Sequence, residues 1–181
     1  MRVLDTHSNP TLAHLTFVLG GGRSGKSRYA EELVMAAPAP WIYVATAEAY
    51  DDEMRERIAT HQLRRGEGWE TVDSPISLPE AIIDAPDAPM LVDCLSMWVS
   101  NLMLGDRDLP GAFKAFDDAL AKRTAPTVLV SNEVGLSIVP DNALGRAFRD
   151  ELGLLNQRVA AQASRVVFMV AGLPMVVKGT Q

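Results

Sequence analysis

The strand-like run Leu15-Thr16-Phe17-Val18-Leu19 opens directly onto Gly20-Gly21-Gly22-Arg23-Ser24-Gly25-Lys26-Ser27, which leads into a helix-forming stretch, SRYAEELVMAA. Each residue type in that octet has a physical reason to be there. Glycines let backbone amides curl around phosphate oxygens, Lys26 reaches the outer phosphates, and Ser27 offers a hydroxyl to Mg²⁺ where the helix begins. This is a complete Walker A loop. A plain Gly-rich turn is the alternative, and the strand before and helix after argue against it. The candidate phosphate-binding residues are therefore Gly20, Gly21, Gly22, Arg23, Ser24, Gly25, Lys26 and Ser27, with Lys26 also catalytic and Ser27 a metal ligand.

Four more apolar runs follow: WIYVAT (41–46), MLVDC (90–94), TVLVSN (127–132) and VVFMVAG (166–172). Strands that are apolar throughout are covered on both faces, as in a parallel sheet with crossover helices. Helical patterns at 26–36, 51–63, 77–84, 95–104, 110–122 and 142–163 alternate with them, several bounded by Pro, Gly or Asp. The expected class is thus α/β, a P-loop NTPase with a mostly parallel central sheet flanked by helices. The longest irregular stretch, about 64–76, carries Arg64, Arg65, Gly66, Gly68 and Trp69, and long loops in compact domains are more often functional than accidental.

A chain of 181 residues that is 48% hydrophobic suits one core. Residues 1–14 read as a loosely ordered arm in which His7 and His14 take no role, and residues 15–181 as the domain. A net charge of -6 and a pI of about 5.0 argue against a nucleic-acid or anionic-membrane surface. No apolar run approaches a membrane span, and no signal-like stretch opens the chain, so a soluble protein is expected. The single cysteine, Cys94, forms no intrachain disulfide, which fits a reducing cytoplasm.

An acid ending a buried apolar strand needs a partner, and in a P-loop protein Mg²⁺ supplies one; Asp93, closing PMLVD, is the candidate. On the helix predicted over 51–63, Met54, Ile58 and His61 fall at i, i+4 and i+7, so His61 shares the apolar face. Arg64 and Arg65 follow within a turn, and guanidinium groups beside an imidazole suit phosphate. Spacing alone leaves open whether His61 packs or works. Cys94 reads as packing rather than as a nucleophile. Trp41 and Trp98 read as packing too, whereas Trp69, in the Gly-rich loop, could stack a base.

These motifs together resemble the bifunctional adenosylcobinamide kinase/adenosylcobinamide-phosphate guanylyltransferase family of cobalamin biosynthesis. The matching segments are LGGGRSGKSRYAE (19–31), YVAT (43–46), DDEMRERIATH (51–61), WETVD (69–73), LVDCLSMWVSNL (91–102), VSNEVGLSIVP (130–140), FRDELGLLNQRVA (148–160) and VAGLP (170–174), in family order. The resemblance implies a RecA-like P-loop sheet, a homotrimer and a two-step reaction. A nucleoside triphosphate, ATP or GTP, phosphorylates the aminopropanol hydroxyl of adenosylcobinamide; GTP then donates GMP to that phosphate, giving adenosylcobinamide-GDP. It also implies that the second step passes through a GMP-histidine at His61, and that Gln62, Leu63, Arg64, Arg65, Val44, Ala45, Thr46, Asp73 and Asp93 line the GTP site. Position 73 holds Asp where the family pattern carries Glu, a shorter equivalent. Asn132-Glu133-Val134-Gly135 matches the family and follows a predicted strand at the edge where α/β proteins bind ligands, with no role assigned to it.

Two other readings keep Walker A and Asp93. One is a single-activity small-molecule kinase in which His61 merely packs. The other is a non-catalytic nucleotide-binding regulator.

Overall fold

The five apolar runs become strands of one sheet in the computed structural model, which describes residues 13–48, 52 and 65–180. In chain order the elements are β1 (Leu15–Gly20), α1 (Lys26–Met35), β2 (Trp41–Ala45), β3 (Trp69–Asp73), α2 (Leu78–Asp84), β4 (Met90–Asp93), α3 (Leu95–Leu104), α4 (Leu109–Lys122), β5 (Thr127–Asn132), α5 (Ala143–Gln162), β6 (Arg165–Val170) and β7 (Leu173–Lys178). The strands lie in the order β3-β2-β4-β5-β1-β6-β7. Every neighbouring pair is parallel except β6 with β7. With the Gly-rich loop leaving β1 and an acid closing β4, this is the mostly parallel P-loop NTPase sheet of RecA-like order.

Alternation of side chains along each strand divides the core in two. On one face α1 places Ala30, Leu33 and Val34 against Val18, Leu91, Val128 and Val130. On the other, α2 to α5 cover Phe17, Val44, Val92 and Leu129. Trp98 is the largest fully buried side chain there. Its ring meets Phe113 and Phe116 at centroid distances of 5.9 and 5.2 Å, and its Nε1 donates to the Ile76 carbonyl at 2.8 Å. Truncating it to Ala would cost about 3–5 kcal/mol. Trp98 is therefore packing, as expected.

The predicted helices at 26–36, 77–84, 95–104, 110–122 and 142–163 form within a residue or so of those limits, while the one at 51–63 lies outside the described residues apart from Asp52. Two strands were not expected. The stretch read as an irregular loop over 64–76 contains β3, an edge strand paired with β2 from Trp41↔Trp69 to Ala45↔Asp73. Its residues are exposed or half-buried, so it lacks the apolar run that marks the inner strands. Trp69 does not stand free for a base: its ring lies 5.4 Å from Trp41 and 6.0 Å from Tyr43. The second, β7, follows a turn in which Ala171 and Gly172 have φ of 51° and 83°. His14, given no role in the sequence, is exposed and bonds the Arg123 carbonyl at 3.0 Å.

Candidate functional site

The parallel registers bring Gly20, Asn132, Asp93, Ala45 and Asp73 to one edge of the sheet, where the strands end and the P-loop begins. The loop itself is tightly built. Gly20 has a φ of 152°, and a Cβ there would stand 2.7 Å from the Met169 carbonyl oxygen and 2.8 Å from Ser24 Oγ. Arg23 and Gly25 have φ of 57° and 94°, conformations that bend the chain back on itself and turn successive amides inward. Lys26 is buried, and its Nζ donates to the Gly21 carbonyl at 2.6 Å, across the loop.

Electrostatics at the start of α1 favour an anion. Its N-cap is Gly25, with no side-chain cap and no acid in the first turn. By contrast, α4 and α5 are capped by Asp108 and Asn142, whose side chains accept from Gly111 and Gly145. The positive end of the α1 dipole thus faces the loop unneutralised by side chains of its own turn. Ser24 Oγ is buried without a hydrogen-bond partner, a polar atom that a phosphate oxygen would satisfy.

Asp93 lies on the α1 side of the sheet, where Leu91 of the same strand packs beneath α1. Tyr43 Oη donates to Asp93 Oδ2 at 3.1 Å, and the guanidinium carbon of Arg65 sits 3.4 Å from the centroid of the Tyr43 ring. Burial first, and then the Asp93 charge, push the Tyr43 hydroxyl far above the ordinary phenol range, so it remains a donor. Arg65 Nη1 is buried with no partner, a second unsatisfied donor close to the acid. A hydroxyl from Ser27 and a carboxylate from Asp93 are the hard oxygen donors that Mg²⁺ takes alongside water and phosphate. No group of three or more His, Cys, Asp or Glu with metal-site geometry occurs among the described residues.

The run Val44, Ala45, Thr46 divides its side chains between the two faces. Val44 is fully buried on the face opposite α1, and only Ala45 points to the α1 side. Thr46 is locked: Oγ1 donates to the Cys94 carbonyl at 2.7 Å and accepts from the Cys94 amide at 2.8 Å, while Asn101 Nδ2 donates to the Thr46 carbonyl at 2.8 Å. Thr46 therefore fixes the turn after Asp93. Asp73 ends β3 and is exposed, four strand spacings or roughly 19 Å from β1. The structure thus gathers the P-loop, Asp93 and Arg65, and holds Asp73 at the far end of the same edge. His61, Gln62, Leu63 and Arg64 lie outside the described residues.

The sequence reading passed over Tyr43, the residue that links Arg65 to Asp93. One signal was available: a phenol within an otherwise apolar strand must find a hydrogen-bond partner when buried. Ser96 was also missed, and Asn132, singled out in the sequence without a role, bonds it: Asn132 Nδ2 donates to Ser96 Oγ at 3.0 Å, and Cys94 Sγ lies 3.0 Å from the same hydroxyl. Burial, and after it the Asp93 charge, raise the Cys94 thiol above its ordinary value, which agrees with packing and not with nucleophilic use.

Residues 16–177 match the family described as cobinamide kinase / cobinamide phosphate guanyltransferase. A bifunctional adenosylcobalamin biosynthesis protein, CobP, of Pseudomonas aeruginosa is 44% identical over 166 residues, covering 90% of this chain and 96% of the relative. One named CobU from Salmonella typhimurium is 40% identical over 181 residues, covering 91% and 99%. Among solved structures, the flagellar accessory protein FlaH of Methanocaldococcus jannaschii superposes with a TM-score of 0.53 at 12% identity, over 93% of this chain and 80% of that one, a likeness of fold alone.

Proposed function

The chain belongs to the cobinamide kinase / cobinamide phosphate guanyltransferase family and is an enzyme of that kind; on that premise we propose that both of its transfers use the single phosphate cradle formed by residues Gly20 to Ser27. In the kinase step the aminopropanol hydroxyl of adenosylcobinamide attacks the γ-phosphorus of ATP or GTP. A new O–P bond forms, the β–γ bridging bond breaks, and the hydroxyl proton is released. In the second step an imidazole nitrogen of His61 attacks the α-phosphorus of GTP and expels pyrophosphate. The corrinoid phosphate then attacks that phosphorus, breaking the N–P bond and giving adenosylcobinamide-GDP.

Neutral imidazole is a competent nucleophile near pH 7, and splitting one transfer into two displacements lowers each barrier. Lys26 and the loop amides compensate charge on whichever group leaves, the nucleoside diphosphate in the first step and pyrophosphate in the second. Mg²⁺ held by Ser27 and Asp93 would add its charge to that compensation. Arg64 and Arg65, with Gln62 and Leu63, flank the nucleotide, and Asp73 marks its distal end. The reading includes a homotrimer in the cytoplasm, in keeping with the family resemblance; among the described residues no helix is long and apolar enough to cross a membrane.

One observation carries the use of His61 at this cradle. Arg65, four residues after it, lies on the Tyr43 ring whose hydroxyl holds Asp93. The test is incubation with labelled GTP and Mg²⁺. α-labelled GTP leaves acid-labile, base-stable label on the chain, γ-labelled GTP leaves none, and His61→Asn abolishes the adduct while still phosphorylating adenosylcobinamide. Absence of α-label on the wild-type chain sinks the covalent route, and full labelling of His61→Asn sinks its assignment to that residue.

A further inference from the structure

We propose that the segment from Glu133 to Pro140 is an acceptor-docking ledge, on which Leu136, Ile138 and Val139 seat the apolar macrocycle of the corrinoid beside the phosphate cradle. The inference rests on the proposed kinase step and adds to it the surface that holds the second substrate.

Strand order gives the first reason. β5 lies between β1, which carries the P-loop, and β4, which ends in Asp93. The chain that leaves β5 therefore starts between cradle and acid, beside the space where the outer phosphates must lie if Lys26 and Asp93 are both to act on them. The Glu133 amide donates to the Gly20 carbonyl at 3.1 Å, so the segment is rooted on the first residue of the P-loop. The hairpin of β6 and β7 also touches the loop, through the Gly172 amide and the Ser24 carbonyl at 3.1 Å, but it stands on the side of β1 away from Asp93.

The second reason is that the segment is stiff as well as apolar. Asn156 Nδ2 holds the Asn132 carbonyl at 3.1 Å at one end, and Arg146 Nη1 holds the Pro140 and Asp141 carbonyls at 3.1 and 2.8 Å at the other. In between, Glu133 Oε1 accepts from the Gly135 amide at 2.8 Å, and Ser137 Oγ donates to the Val134 carbonyl at 2.7 Å. Held in this frame, Leu136, Ile138 and Val139 are 80%, 93% and 59% exposed. From Gly135 to Pro140 the sequence has no charged side chain. An apolar, uncharged, pre-ordered ledge is poorly suited to nucleotide phosphate and well suited to a methyl-bearing macrocycle with amide arms, which is too bulky to enter the cradle and must rest on its rim.

Equilibrium dialysis against adenosylcobinamide, followed by its own absorbance, tests this on the full chain. The double variant Leu136→Ser/Ile138→Ser is expected to weaken corrinoid binding about tenfold or more, and Ile138→Ser alone about threefold. GTP affinity, read separately, holds, because the ledge meets the cradle only through the Glu133 backbone amide, while the substituted side chains of Leu136 and Ile138 are exposed. Leu173→Ser, at an exposed apolar site on β7, is expected to leave corrinoid binding as in the wild type. Wild-type protein that binds no corrinoid overturns the functional reading, and this inference with it. Wild type that binds, with a double variant of equal affinity, overturns the ledge alone. A double variant that falls to a smaller assembly in sedimentation with corrinoid affinity intact also overturns it, assigning the ledge to contact between copies.

Discussion

Tyr43 and Asp93, fifty residues apart and on adjacent strands, are joined by a 3.1 Å hydrogen bond from the phenol to Oδ2 of the carboxylate. The Arg65 guanidinium lies over the same ring, 3.4 Å from its centroid. The phenol orients the acid proposed to hold Mg²⁺, and partners that orient a metal-binding carboxylate commonly tune affinity without touching the ion. Tyr43→Phe keeps the ring and its contact with Trp69 and removes only the donor. The expected result is a Mg²⁺ requirement raised about tenfold, read as the half-saturating concentration in the kinase assay, with stability lowered by about 1 kcal/mol. An unchanged Mg²⁺ dependence would leave Tyr43 a packing residue.

Lys26 separates a shared cradle from two independent sites. Its ammonium is buried at the loop and bonded to the Gly21 carbonyl. If both transfers use it, Lys26→Ala lowers phosphorylation of adenosylcobinamide and α-label incorporation together, each by about 10²–10³, with far-UV circular dichroism preserved. His61→Asn affects only the second. A Lys26→Ala protein that still takes up α-label at the wild-type rate refutes the shared cradle.

How much of this arrangement is legible in the sequence depends on where each residue lies in the sheet. β1, β2, β4, β5 and β6 are inner strands whose residues are mostly buried, so burial forces an apolar run, and the run is what a reader sees. β3 and β7 are edge strands whose residues are mostly exposed; WETVD has no apolar continuity to mark it, and LPMVVK sits too close behind β6 to look separate. The P-loop is legible because phosphate chemistry dictates nearly every residue in it. The Tyr43 to Asp93 bond is not, because register between β2 and β4 is a tertiary fact that no local pattern encodes. The same holds for Thr46, whose hydroxyl stitches Cys94 and so acts as structure beside the site.

Gly20 tests the loop's geometry apart from its chemistry. At a φ of 152° an alanine Cβ would meet the Met169 carbonyl oxygen at 2.7 Å, and backbone cannot yield as a flexible side chain does. Gly20→Ala is expected to destabilise the fold by about 2–3 kcal/mol and to abolish retention on a nucleotide affinity resin. Gly22→Ala, where a Cβ meets nothing within 4 Å, serves as the matched control and should stay within about 1 kcal/mol of wild type. Equal losses at both positions would show that close packing behind Gly20 is not what demands glycine.

Cys94 gives the pH dependence a sign. Burial raises its thiol above the ordinary value, with the Asp93 charge adding to the effect. A raised folded-state value means that the folded protein keeps a proton the unfolded chain gives up. The corresponding stability is fully present below the unfolded thiol value of about 8.5 and is lost progressively as pH rises beyond it toward the folded value. Tyr43, also raised, adds a second loss starting near the ordinary phenol value of about 10. Thermal melts between pH 7 and 10 are therefore expected to show Tm falling from above about pH 8.5, and Cys94→Ala is expected to flatten the part of that fall below about pH 10. At pH 7.5 the folded thiol should alkylate with iodoacetamide far more slowly than the same cysteine in urea. Tm that holds level up to pH 10, or a slope that Cys94→Ala leaves unchanged, would mean that the thiol is not held neutral by the fold.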